Sequence, residues 1–373
     1  MNRSRRLLFW AVLVVGTVGV AEFLVRVALD PPGLLAPGDD ARLMRPREPM
    51  GYALAPDARG HHTADGRQVP IRINAWGFRD GSFDSAIAAP SRLLGVGDSF
   101  TLGLGVDSAD PWPQQLERLL RRRTSASLRV VNAGVPGYSP RQMRQTMEAV
   151  MPELRPQVVV FAAAGENFRR MNDPYVLVDG YLVRRSAVAD LRFSGERAYA
   201  SPIVRWDWLH DADLWMNQHF QLGAQALSAV FRLYGWLTGP VPGVDVGAAE
   251  ISPDTAAARL RSTLEEIARA DSVARQGGAT LVVLLVNSQE RDGRFRQEQW
   301  AYNRLLRQFC EERGIRVVDP LPTLDSLAAG RPVFRTPDDY HWTPAAHAVA
   351  AEELARVLMS RGLVAVSPSP EVR

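Results

Sequence analysis

Four short segments of this 373-residue chain bring together residue types that do nucleophilic chemistry. Gly97-Asp98-Ser99 sets a serine on a turn between an apolar stretch and a helix, where helix N–H groups face a developing anion. The same Asp and Ser also suit a plain helix N-cap. Gly134 closes a second apolar stretch. A glycine there lets the backbone approach a ligand and donate its N–H, or simply makes a turn. Asn167, after a third stretch, offers a side-chain amide to an oxyanion or serves as a turn asparagine. Asp338-Asp339-Tyr340-His341 precedes the last helix. A histidine three residues after Asp338 can present one ring nitrogen to a serine and the other to the carboxylate. A loop histidine capping that helix is the plain alternative. Nucleophile, oxyanion donors and base thus arrive in chain order, and they are the minimum set for acyl transfer.

These residues need a scaffold that gathers them at one edge. From Ser91 onward apolar strands alternate with amphipathic helices. Strands are expected at Leu93–Val96, Leu128–Asn132, Val158–Ala162, Thr280–Val286 and Ile315–Val318. Helices are expected at Trp112–Arg123, Pro140–Leu154, Ala257–Gln276, Glu298–Arg313 and Pro344–Leu358. Continuous apolar strands joined by helices predict an α/β fold, a parallel sheet covered on both faces, with ligands at the strands' carboxyl ends. Met171–Ile251 breaks this rhythm and reads as an insertion. It holds Trp206, Trp208, Trp215 and Trp236 and the mainly apolar stretch Phe220–Leu237. It leaves the core just after Asn167, so we expect a cap over the site, with tryptophans for an acyl or sugar pocket or simply for packing.

The order Gly97-Asp98-Ser99, Gly134, Gly165-x-Asn167 and Asp338-x-x-His341 resembles the conserved blocks of the SGNH/GDSL hydrolases, over about Ser91–Leu358 outside the insertion. That resemblance implies a flavodoxin-like three-layer α/β/α sandwich with a five-stranded parallel sheet, and ester hydrolysis without a cofactor or metal. Ser99 would be the nucleophile, His341 the base and Asp338 its partner. The N–H groups of Ser99 and Gly134 and the Asn167 amide would form the oxyanion hole. Phe100 stands where the family name has leucine, and Phe168 where aspartate is frequent. Ile73–Asp80 also looks like an element of membrane-anchored bacterial members. The substrate class implied is an acylated small molecule, lipid or polysaccharide. Acyl transfer to a cell-surface carbohydrate uses the same machinery, and a non-catalytic binding protein on this fold is the rival of another class.

Composition excludes other chemistries. All 44 basic residues are arginine, so no phosphate-loop lysine, Schiff base or Ser–Lys dyad is available. The single Cys310, read as a buried apolar residue, excludes an internal disulfide and a cysteine-rich zinc site. A net charge of +3 without a long basic run gives no footprint for nucleic acid. His61-His62 reads as part of a polar loop and His347 as structural. His210 with Asp211 and Asp213 lacks the spacing of a metal site.

The organisation expected is a membrane segment (1–29), an extracytoplasmic arm (30–90), a hydrolase domain (91–362, insertion 171–251) and a disordered tail (363–373). Arg3, Arg5 and Arg6 precede the charge-free run Leu7–Ala21, which predicts a single-pass anchor with the catalytic domain outside the cytoplasm. Cleavage after Gly19-Val20-Ala21 and secretion is the alternative.

Overall fold

The computed structural model describes residues 3–28, 43–64, 67–124, 127–164, 170–171, 174–178, 181–185, 253–287, 295, 297–328, 333 and 341–364. Asn167, Asp338, Asp339, nearly all of the insertion and the terminal SPSPEVR lie outside these residues. The chain divides into two compact units. Met1–Ala41 and Val178–Val246 form one, and Arg42–Leu177 and Gly247–Arg373 form the other.

In the first unit α1 runs Arg3–Ala28; of the short strands β8 (Tyr175–Val178) and β9 (Tyr181–Arg184), β9 belongs to this unit. The side chains of Phe9, Trp10, Val12–Val15, Val18 and Val20 on α1 are exposed. Among the described residues no helix is long and apolar enough to cross a membrane.

The second unit is built on a five-stranded parallel sheet in the order β11-β10-β7-β5-β6. Its strands are β5 (Ser91–Gly97), β6 (Leu128–Gly134), β7 (Val158–Ala164), β10 (Thr280–Val286) and β11 (Arg316–Val318). The first strand lies between the second and third, which is the flavodoxin-like order with its switch point beside β5. All four longer strands were expected as apolar runs, and each extends a residue or more beyond the predicted bounds at one or both ends, except β10, which matches. Continuous burial on both faces explains the runs. In β10 the residues Leu281 to Val286 are at most 2% exposed, with Val282, Leu284 and Val286 in the core shared with Trp112, Leu116 and Trp342.

Helices cover both faces. They are α4 (Trp112–Thr124), α5 (Pro140–Leu154), α6 (Pro253–Gln276), α7 (Gln297–Glu312), α8 (Leu321–Ala328) and α9 (Pro344–Ser360). Helix α4 packs on α9, while α5 and α7 both pack on α6. The ends are locally encoded. Ser139 and Gln142 make a reciprocal capping box ahead of Pro140, and Thr343 accepts from Ala346 N–H ahead of Pro344.

The arm has two antiparallel pairs, β1 (Met44–Arg47) with β2 (Gly51–Leu54) and β3 (Arg59–Ala64) with β4 (Arg67–Arg72), then a short helix α2 (Phe83–Ile87). His61 and His62 sit in β3 opposite Pro70 and Val69 rather than in a loop. The four-residue strands β1 and β2 are too short to show an alternation, whereas Val69 to Arg72 of β4 alternate between buried and exposed. From Arg42 onward the arm belongs to the same compact unit as the sheet.

Candidate active site

The carboxyl end of β5 turns directly into α3 (Ser99–Leu102). Gly97 permits the tight turn, since a Cβ there would stand 2.0 Å from Thr101 Oγ1. Asp98 caps α3 with its Oδ1 accepting Phe100 N–H at 3.0 Å. The turn leaves Ser99 at the first helical position, 5% exposed. His341, just ahead of α9, faces it with Nε2 at 2.8 Å from Ser99 Oγ. That distance is a full hydrogen bond between residues 242 positions apart, the first requirement for a nucleophile and its base.

Aromatic residues hold the histidine. Its ring lies 5.2 Å from the ring of Phe100. The neighbouring Trp342 is fully buried and donates Nε1–H to the carbonyl of Asn287, at the end of β10, at 2.8 Å. Trp342 also packs edge-on against Phe100 and His347. His347 is buried and its Nδ1 accepts the backbone N–H of Trp112, so the structural reading of that residue holds.

The Gly134 assignment needs correction. Its N–H donates to the side-chain oxygen of Asn132 at 3.1 Å. The glycine serves close approach instead, because a Cβ there would stand 2.2 Å from the backbone nitrogen of Leu102 and 2.7 Å from the carbonyl carbon of Thr101. Directly after it, Val135–Tyr138 makes a turn with Pro136 and Gly137 at its centre, closed by Tyr138 N–H to Val135 O, with Gly137 at φ +77°. Among the described residues the N–H groups of Ser99 and Gly137 have no acceptor. Ser99 and His341 are therefore brought together, while Asn167, Asp338 and Asp339 fall outside the described residues.

The arm braces these loops. Tyr52 donates to Pro136 O at 2.8 Å, and Tyr138 donates back to Tyr52 O at 2.6 Å. Burial pushes the Tyr138 hydroxyl up, so it remains a donor. The element Ile73–Asp80 acquires a physical role. Asn74 Oδ1 accepts from Trp76 and Phe78 N–H, both at 3.0 Å, and so folds the turn that delivers Arg79 and Asp80. Arg79, 3% exposed, donates to the carbonyls of Leu102, Gly103 and Val106, just past Ser99. Asp80 accepts Asn132 N–H at 2.8 Å and pairs with Arg129. Burial raises its carboxyl, opposed by the N–H groups of Asn132 and Gly81 and by Arg129. The sequence marks Ile73–Asp80 only by its family resemblance and gives Arg79 no role, because arginines occur throughout the chain. Among the described residues no cluster of histidine, cysteine and carboxylates could hold a metal.

Residues 96–235 match the family model described as GDSL-like Lipase/Acylhydrolase. Residues 248–372 match the SGNH hydrolase-like domain of acetyltransferase AlgX. The first span contains Ser99 and the second His341. No curated protein matches the chain. Among solved structures, TesA is 16% identical with a TM-score of 0.41, over 74% of this chain and 100% of that one. A putative lipolytic protein of the G-D-S-L family from Desulfitobacterium hafniense is 12% identical, TM-score 0.40, over 72% and 99%. Axe2, an acetylxylan esterase from Geobacillus stearothermophilus, is 16% identical, TM-score 0.38, over 73% and 95%. The span that holds Ser99 and the span that holds His341 thus each match a hydrolase model of the SGNH/GDSL type, and the chain is similar to that family over both.

Proposed function

We propose that this chain is a serine esterase that works through an acyl-Ser99 intermediate. The observation that carries the proposal is the 2.8 Å contact between Ser99 Oγ and His341 Nε2 in a site where both residues are buried. Ser99 attacks the ester carbonyl as His341 takes its proton. His341 then returns the proton to the departing alcohol, and water repeats the sequence to release the acid. The developing oxyanion is held by the N–H groups of Ser99 and Gly137 and by the Asn167 amide. Gly137 stands in for Gly134, whose N–H is already engaged. Asp338 orients His341.

A second reading replaces water with a carbohydrate hydroxyl, making the enzyme an O-acyltransferase or a deacetylase of a cell-surface polysaccharide. The match of residues 248–372 to the domain of an acetyltransferase favours it. We place the catalytic unit outside the cytoplasm on a single N-terminal tether. Support comes from the arginines before the charge-free run Leu7–Ala21 and from the exposed apolar side chains of α1. Recovery of a mature protein starting at Glu22 in the soluble exported fraction would show cleavage instead.

Fluorophosphonate labelling and turnover of p-nitrophenyl acetate test the central reading, with wild type beside Ser99→Ala. The variant should lose labelling and about 10,000-fold or more in kcat. Undiminished turnover by Ser99→Ala refutes the nucleophile. Product analysis with an added acetylated or free oligosaccharide separates hydrolysis from transfer.

A further inference from the structure

Arg170 stands three residues past Asn167 in the chain, and its guanidinium reaches back into the site. Nη1 donates to Asp98 Oδ2 at 2.7 Å and to the carbonyl of Tyr138 at 3.3 Å. The Asp98 side chain is 3% exposed and that of Arg170 is 19% exposed. Asp98 divides its carboxylate between two tasks. Oδ1 holds the first turn of α3 through Phe100 N–H, and Oδ2 holds Arg170. Tyr138 directly follows Gly137, and its own hydroxyl is anchored on the arm.

We propose that Arg170 is a positioning residue, a cross-tie that sets two segments supplying the oxyanion hole in one geometry. Those segments are the Asp98-Ser99 turn and the Gly137-Tyr138 turn. The inference rests on the esterase reading above. The Ser99 and Gly137 N–H groups both lie past the last bond that joins their strands, Val135 N–H to Gly97 O, and beyond it the Arg170 guanidinium links the two turns. A charge-assisted bond from a planar guanidinium to a buried carboxylate is a short, directional link, suited to this task. Oxyanion donors act only when they meet the position of the developing charge, and a displacement of about 1 Å costs roughly 100-fold in rate.

The test uses the full chain with Arg170→Ala, Arg170→Lys, Asp98→Asn and the double variant Arg170→Ala/Asp98→Asn. Measured are kcat and KM for p-nitrophenyl acetate, the rate of fluorophosphonate inactivation, and Tm. Arg170→Ala should lower kcat and the inactivation rate by about 10- to 100-fold, with KM changed less than about twofold. Arg170→Lys keeps the charge and should recover part of the loss. The double variant should be no slower than the slower single variant, because both remove one link. An unchanged kcat with only a lower Tm overturns the proposal, and so does a raised KM with kcat intact, which would make Arg170 a substrate contact. Losses that multiply in the double variant overturn it as well. Should Arg170→Ala fail to fold, Arg170→Lys and Asp98→Asn carry the same comparison. Wild type that takes no fluorophosphonate refutes the esterase reading itself, whereas labelled wild type with unaffected variants refutes the cross-tie alone.

Discussion

Replacing Gly134 with alanine separates two roles that a glycine beside an active site can have. Alanine keeps the backbone N–H, so a residue needed only as a donor would tolerate it. The structure predicts the opposite. The new Cβ would stand 2.2 Å from Leu102 N, 2.7 Å from Thr101 C and 2.9 Å from Leu102 Cα, all backbone atoms of α3. Ordinary contact begins at 3.4 Å, so the helix must retreat by 3.4 − 2.2 = 1.2 Å. Ser99 opens that same four-residue helix. If the whole shift reaches Ser99 and runs along its bond to His341, the distance grows from 2.8 Å to 2.8 + 1.2 = 4.0 Å, beyond hydrogen-bonding range. A misplacement of about 1 Å predicts a loss of roughly 100-fold in kcat. Overpacking adds a destabilisation of about 1–3 kcal/mol. Gly137→Ala is the control. It also keeps its N–H, but it strains a φ of +77° and puts a Cβ 2.8 Å from the Tyr52 hydroxyl. The left-handed conformation costs about 1–2 kcal/mol. Stopped-flow turnover of p-nitrophenyl acetate and thermal melts read both variants. A Gly134→Ala enzyme with wild-type kcat and Tm would refute the close-approach argument.

Asp338→Asn should lower kcat by about 1,000-fold or more, and Asp339→Asn by far less, if the first carboxylate orients His341. The reverse order in turnover assays would move the role to Asp339. Glu266 has a side chain only 1% exposed and pairs with Arg141, Arg144 and Arg269 across α5 and α6. Burial raises its carboxyl, but Arg144 foremost, with Arg141 and Arg269, outweighs burial and leaves it below the usual value. Its contribution is therefore present above the ordinary carboxylate pKa of 4.5 and fades as the pH falls through the depressed folded value. Glu266→Gln should cost about 1–3 kcal/mol at pH 7, a gap that closes in acid; denaturant melts at pH 7 and pH 3 check this. Burial pushes the Cys310 thiol up to about 12, so the native protein should resist a thiol reagent at pH 8 that reacts fully once the chain is unfolded.

The parallel sheet was legible because its inner strands are buried on both faces. Val158–Ala162 and Leu281–Val286 are uninterrupted apolar runs of strand length, as strands covered on both faces require. The approach of Ser99 to His341, 2.8 Å apart, is what a serine at a strand-to-helix turn and a histidine ahead of the last helix suggest at the carboxyl edge of such a sheet. Gly134 misled for a physical reason. The glycine that admits a neighbouring helix and the glycine that offers an N–H have the same composition and the same place after a strand. Only the Asn132 side chain on its N–H, and the atoms its Cβ would strike, tell them apart. The arm was the least legible part. Its strands are held by partners distant in sequence, such as Tyr52 on Pro136, and neither residue announces the pairing.

Arg79 shows why that arm cannot be an appendage. Helix α3 is four residues long, too short to satisfy its own final carbonyls, and Leu102 O and Gly103 O point into the interior. Buried carbonyls need donors, and a guanidinium brings several in one plane with a positive charge that suits the negative end of a helix. Burial pushes Arg79 down to about 10, opposed by Asp107 and Asp110, so it stays cationic at neutral pH. Its neighbour Asp80 holds β6 through Asn132 N–H, and Asn132 in turn takes up the N–H of Gly134. One turn of the arm, shaped by Asn74, thereby fixes both the helix that carries Ser99 and the strand that leads to Gly137. The catalytic unit accordingly begins in the arm, ahead of Ser91, and the residues before the first sheet strand are as much a part of the site's framework as the sheet itself.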